Sequence, residues 1–114
     1  MIKKETLERI RNFVKDRNWS QFHTNCNLAK SIVLEASEVL ELFQWSDEVK
    51  SIEDLKDELA DVLTYTIMLC DNNGFDIDEI LNNKIDKNIK KYPVEKAYGN
   101  SKKYYELKDE YENN

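Results

Sequence analysis

The sequence predicts an all-α protein, and three observations carry that prediction. Glycine occurs twice and proline once in 114 residues, too few for the turns that a β protein needs every few residues. Apolar residues recur three and four positions apart in four separate stretches, the period of a helix with one buried face. Charged residues make up 35% of the chain, enough to cover the opposite faces. The length suits one domain, and the expected architecture is a four-helix unit that packs as a homo-oligomer.

The first helix is expected from about Glu5 to Asp16, with Leu7, Ile10, Phe13 and Val14 as its apolar stripe. A loop, Arg17 to Asn25, follows and holds RNWSQFHT. The second helix is expected over Asn27 to Trp45, where Ser46 and Asp47 break it. The third runs from Ile52 to Asp71 and is stopped by Asn72, Asn73 and Gly74, a sequence suited to a left-handed cap. Asp76 and Glu79 resemble a capping box and open a fourth helix over Ile77 to Lys90, with Ile77, Ile80, Leu81, Ile85 and Ile89 as its stripe. Pro93 is expected to end helical structure. No repeat and no linker divides the chain, so a single domain over residues 1–107 is expected, followed by a polar tail at 108–114. The stripes of helices two and three are long for so small a chain. A second copy is the expected cover, as a dimer or a dimer of dimers.

Composition narrows the partners. A formal charge of −6 argues against a nucleic-acid polymer. No apolar run approaches the roughly 20 residues of a membrane span, and MIKKETLERIRNF lacks the apolar core of a signal peptide. A cytoplasmic protein without a membrane partner is expected. Cys26 and Cys70 lack metal-type spacing and read as buried reduced thiols.

One helix carries acid where a core should be. On a wheel of about 100° per residue, Leu28, Ile32, Val39 and Leu42 fall within roughly 60° of Glu35. Glu38 sits at the edge of that arc. In helix three Glu58 falls beside Tyr65, Val62 and Leu69, with Asp61 one turn along. E-x-x-E and E-x-x-D therefore place two carboxylate pairs at the margin of the core. Such pairs on solvated faces are common in a chain this charged. At a core margin, however, like charges repel and desolvation is costly. A divalent cation removes both difficulties, and oxygen-only donors favour Mg²⁺, Mn²⁺ or Ca²⁺ over Zn²⁺. Di-iron bundles require E-x-x-H on two helices, and this chain has one histidine, His23, in a loop. The same scarcity excludes histidine-dependent nucleophilic triads.

The runs RNWSQFHTNCNLAKSIVLEASEVLELFQW, DELADVLTYTIML and NNKIDKNIKKYPVEKAYGNSKKYYEL resemble the MazG-like all-α nucleoside triphosphate pyrophosphohydrolases, in particular their dCTP pyrophosphatase-like branch. The similarity covers about residues 5 to 107. It implies hydrolysis of a (deoxy)nucleoside triphosphate to monophosphate and pyrophosphate. It implies Mg²⁺, with Mn²⁺ as the alternative, on Glu35, Glu38, Glu58 and Asp61. It implies that Trp19, Ser20, Gln21, Phe22 and His23, with Trp45 and Tyr65, meet the nucleotide, and that Lys84 and Asn88 touch phosphate or sugar. Two departures, a shorter connection between helices two and three and Ile10 in place of a polar ring, bear on base choice rather than on the reaction.

The chemistry suits these residues. A cation between the carboxylates and the triphosphate reconciles an acidic protein with an anionic ligand. Glu35 or Glu38 is the expected general base for the attacking water. Trp45, beside Glu38 on the extended wheel, is the aromatic best placed to stack on a base. Lys102 and Lys103 are candidates to close over the phosphates. The competing expectation is a non-catalytic helical oligomer that binds nucleotide or a partner protein; it keeps the apolar stripes but does not need all four carboxylates.

Overall fold

The computed structural model describes residues 2–99, and every regular element among them is helical. The elements are α1 (Lys4–Asp16), a 3₁₀ turn (Trp19–Phe22), α2 (Asn25–Glu41), α3 (Ile52–Asn73), α4 (Ile77–Lys91) and α5 (Val94–Ala97). They fall into two compact units, Met1–Asp76 and Ile77–Asn114. The expected tail at 108–114, with Lys102 and Lys103, lies outside the described residues.

In the first unit α2 and α3 form the main helix pair. Thr24 caps α2, its Oγ accepting from the Asn27 amide at 3.1 Å, so the helix begins two residues before the periodicity suggests. Ser51 caps α3 in the same way through the Asp54 amide. Gly74 closes α3 at φ +67°, and the Phe75 amide reaches back to the Cys70 carbonyl at 3.0 Å. This is the left-handed cap that Asn-Asn-Gly predicts. A reciprocal amide pair at 3.1 Å ties Asn25, at the start of α2, to Asn73, at the end of α3. The two helices are therefore antiparallel in a fixed register.

The core of this pair is small: Leu28, Ile67, Met68 and Cys70 are buried, and Leu28 is 0% exposed. Burial pushes the Cys70 thiol up from its ordinary value. Cys26 is exposed, contrary to the buried thiol expected. It lies on the outer side of α2 with Ala29, Lys30, Val33 and Leu34. Arg11 fastens α1 to α3, its Nε and Nη2 each donating to Asp71 at 2.9 Å, the planar fork that suits a carboxylate.

Three further features differ from the sequence reading. The segment read as a loop contains the 3₁₀ turn, entered through Asn18 at φ +53°, a conformation asparagine tolerates. The second helix ends at Glu41 rather than Trp45. Beyond it the Phe43 and Gln44 amides bond to carbonyls only three residues back, and Ser46 Oγ accepts from the Glu48 amide, competing with helical continuation. Helix α4 ends at Lys91, two residues before Pro93, as expected, but helical structure resumes after the proline. Pro93 stands at the N-cap of α5, its carbonyl accepting from Lys96 and Ala97 at 3.0 and 2.9 Å, a role open to a residue with no N–H to give.

In the second unit α4 has Asp78 and Glu79 in its first turn and Lys90 and Lys91 in its last, a distribution that complements the helix dipole. Its stripe residues Ile80, Leu81, Ile85 and Ile89 are exposed.

Candidate metal centre

The register fixed by Asn25 and Asn73 determines which side chains meet in the middle of the α2–α3 pair. At 1.5 Å per residue, moving about ten residues up α2 reaches Glu35 and Glu38, and moving back a similar distance along α3 reaches Asp61 and Glu58. One carboxylate oxygen from each of the four lies within 4.8 Å of the others. Glu35 and Glu58 are half-buried and Asp61 is exposed. The cluster thus has an inner side against the core and an open side toward solvent.

Its electrostatics are unfavourable without a cation. Glu35 Oε2 and Glu58 Oε2 are both shielded from solvent and lack a hydrogen-bond donor, an arrangement that costs free energy in any folded protein. Burial raises the Glu35 carboxyl above its ordinary value, helped by hydrogen bonding to Glu38 and the charges of Glu38 and Asp61. A shared hydrogen bond with Glu38, then desolvation and the charges of Glu38, Asp61 and Glu35, push Glu58 up to about 7. Four hard oxygen donors, two of them orphaned, fit a divalent cation of the Mg²⁺ or Mn²⁺ kind. The donors of this set are all carboxylate oxygens, which disfavours zinc.

The 3₁₀ turn is pinned rather than loose. Trp19 meets the Phe13 ring edge-on at 5.4 Å, and Arg17 stacks its guanidinium 3.9 Å over the same ring. Gln21 Nε2 donates to the Asn18 carbonyl at 3.0 Å. Asn27 and Asn72 donate their side-chain amides to the carbonyls of Phe22 and His23. Ser20 and His23 thereby line a cleft of about 200 Å³ with Ile10, Arg11, Asp71 and Asn72. Arg11, Asp71 and Asn72 were not singled out from sequence, where Asp71 and Asn72 read only as the end of a helix. Tyr65 is half-buried on α3, one turn beyond Asp61. Trp45 lies past the end of α2 and is 89% exposed. The wheel position that set it beside Glu38 does not apply, because the helix it assumed ends four residues earlier. Lys84 and Asn88 stand one turn apart on α4, both exposed, in the second unit.

An antiparallel helix pair with a converging E-x-x-E and E-x-x-D defines a class: helical proteins built around a carboxylate cation cage. The MazG-like family model matches residues 30–107, and this chain belongs to that family, in its dCTP pyrophosphatase-like branch. It is 36% identical to dCTP pyrophosphatase 1 of Mus musculus over 115 aligned positions, which cover 90% of this chain and 68% of the mouse protein. Identity to the Homo sapiens protein of the same name is also 36%, with the same coverage. The crystal structure of a pyrophosphatase from Archaeoglobus fulgidus superposes with a TM-score of 0.74 at 37% identity, covering 79% of this chain and 91% of that one. Among the described residues no helix is long and apolar enough to cross a membrane.

Proposed function

We propose that this protein hydrolyses (deoxy)nucleoside triphosphates to the monophosphate and pyrophosphate, with Mg²⁺ as its cofactor and Mn²⁺ as the substitute. The observation that carries the reading is the meeting of Glu35, Glu38, Glu58 and Asp61 within 4.8 Å, with two buried oxygens that have no donor. The relatives named for pyrophosphatase activity support the same reaction class. The printed substrate of the mammalian relatives, dCTP, suggests pyrimidine deoxynucleotides. Removal of surplus or modified members of that pool in the cytoplasm is the proposed role.

When bound, the cation supplies charge neutralisation for the phosphoryl oxygens. The chain's own residues do the rest. Glu35 and Glu38 orient the attacking water, and one of them accepts its proton. Glu58 and Asp61 complete the donor set from α3. The 3₁₀ turn Trp19–Phe22, with His23 and Tyr65, receives the nucleoside, and Trp45 stacks on it. Residues 1–107 act as one catalytic domain. Val33, Leu34 and Leu40, exposed on α2, are covered by a second copy in a dimer or a dimer of dimers.

Incubation with a panel of nucleoside and deoxynucleoside triphosphates and Mg²⁺, followed by inorganic pyrophosphatase and phosphate detection, tests the reading. Magnesium-dependent release of pyrophosphate from at least one triphosphate is expected. A folded protein that turns over none of them is the result that overturns it and leaves a non-catalytic binding oligomer.

A further inference from the structure

Two arginines on α1 have opposite fates. Arg11 is committed to Asp71 through two bonds of 2.9 Å. Arg9 is exposed and, among the described residues, its side chain makes no ion pair or hydrogen bond. It lines a groove of about 340 Å³ together with Thr6, Ile10, Phe13, Thr64 and Asp61. Asp61 is an exposed member of the acidic cluster. The groove therefore runs from the open side of the carboxylate cage to an uncommitted guanidinium.

The chemistry of that pairing is specific. A guanidinium presents a rigid donor fork that matches phosphate oxygens two at a time, and it keeps its charge at any working pH. Lined by Arg9 and Asp61 alike, the groove nevertheless joins them by no ion pair. Ile10 and Phe13 wall it with apolar surface, which lowers the local dielectric and strengthens whatever charge contact the groove holds. A ligand whose anionic tail is shared between a cation on the cage and a fixed positive group satisfies both ends of the groove.

We propose that Arg9 is a substrate-binding residue that grips the phosphate tail, and afterwards the pyrophosphate product, from the side opposite the carboxylates. This assignment rests on the pyrophosphohydrolase reading and adds a phosphate contact on α1 that the motif residues do not include. Arg9 orients the tail so that the α-phosphorus faces the water held by Glu35 and Glu38.

The test is calorimetric titration of the full-length protein with inorganic pyrophosphate in the presence of Mg²⁺, for wild type, Arg9→Ala, Arg9→Lys and Lys4→Ala. Lys4 is a cation of the same helix that does not line the groove. Loss of a charge-assisted contact predicts pyrophosphate binding roughly 10-fold to 100-fold weaker in Arg9→Ala, partial recovery in Arg9→Lys, and wild-type binding in Lys4→Ala. Mn²⁺ binding without pyrophosphate, followed by electron paramagnetic resonance, stays at wild-type strength or tightens in Arg9→Ala, which separates loss of the contact from loss of the fold. Unchanged pyrophosphate affinity in Arg9→Ala, or an equal loss in Lys4→Ala, overturns the assignment. So does unchanged affinity combined with an altered ranking of bases, which would make Arg9 a reader of the base. Turnover of the triphosphate panel by the same wild-type preparation distinguishes the two failures: with turnover intact only the Arg9 assignment falls, and with neither turnover nor pyrophosphate binding both fall.

Discussion

Glu58 on α3 and Glu38 on α2 face each other across the helix pair, and their contact, with burial and the neighbouring acids, holds the Glu58 carboxyl at about 7 rather than 4.5. A carboxyl raised on folding binds more protons in the folded state than in the unfolded chain between those two values. Metal-free stability therefore falls as pH rises from about 4.5 through about 7, and Glu35, also raised, adds to the same trend. A cation requires the ionised forms and displaces the retained proton. Thermal melts at pH 5 and pH 8, each with and without Mg²⁺, should show a larger cation-induced rise at pH 8. An equal rise at both pH values would mean that the cation does not bind at this cluster.

Glu38 touches Glu35 and Glu58 electrostatically, so neutralising it should separate function from folding. Glu38→Gln removes a donor from the cage and a charge from the repulsion. Turnover should fall by about 100-fold or more, since the cation's contribution to transition-state stabilisation is several kcal/mol. The metal-free melting temperature should equal or exceed that of wild type, because relief of like-charge repulsion opposes any lost contact. Parallel melts and pyrophosphate-release assays check both halves. Full activity in this variant would remove Glu38 from the proposed ligand set.

The helices and the cage were legible in sequence for one shared reason: both repeat with the period of the backbone. Leu28, Ile32, Val39 and Leu42 declare a buried face, and Glu35 is conspicuous because it interrupts that face. Features without a period were not legible. The fork from Arg11 to Asp71 spans 60 positions, and nothing in a chain that is 35% charged marks these two as partners. The end of α2 depends on i→i+3 bonding after Glu41 and on the Ser46 hydroxyl, a local competition that left the apolar pattern running on to Trp45. The amide pair of Asn25 and Asn73 sets the register that brings the carboxylates together, yet in sequence Asn25 reads as the end of a loop and Asn73 as part of a helix stop.

Leu28 is the one side chain of the described core with no exposure at all. Truncation there leaves a cavity between α2 and α3 that the small core cannot refill. Leu28→Ala should cost about 2–5 kcal/mol, read from urea unfolding as a lower midpoint with an unchanged slope. Because the cage sits on the same helix pair, cation binding should weaken with the fold and recover at lower temperature. A loss below about 0.5 kcal/mol, the range of ordinary surface changes, would contradict the burial assigned to Leu28.

Val33 and Leu34 test the proposed association. They are 68% and 63% exposed on α2 and border an apolar surface with Cys26 and Ala29. In a monomer, replacing either by serine removes little packing and should change stability by about 0.5 kcal/mol or less. In an oligomer that buries this face the same change removes interface area, at about 25 cal/mol per Å². Light scattering coupled to size-exclusion chromatography should then show Val33→Ser with Leu34→Ser dissociating at protein concentrations where wild type stays associated. The melting temperature of wild type, but not of the double variant, should rise with protein concentration. A wild type whose mass is that of one chain at every concentration would show that this face has no second copy to cover it.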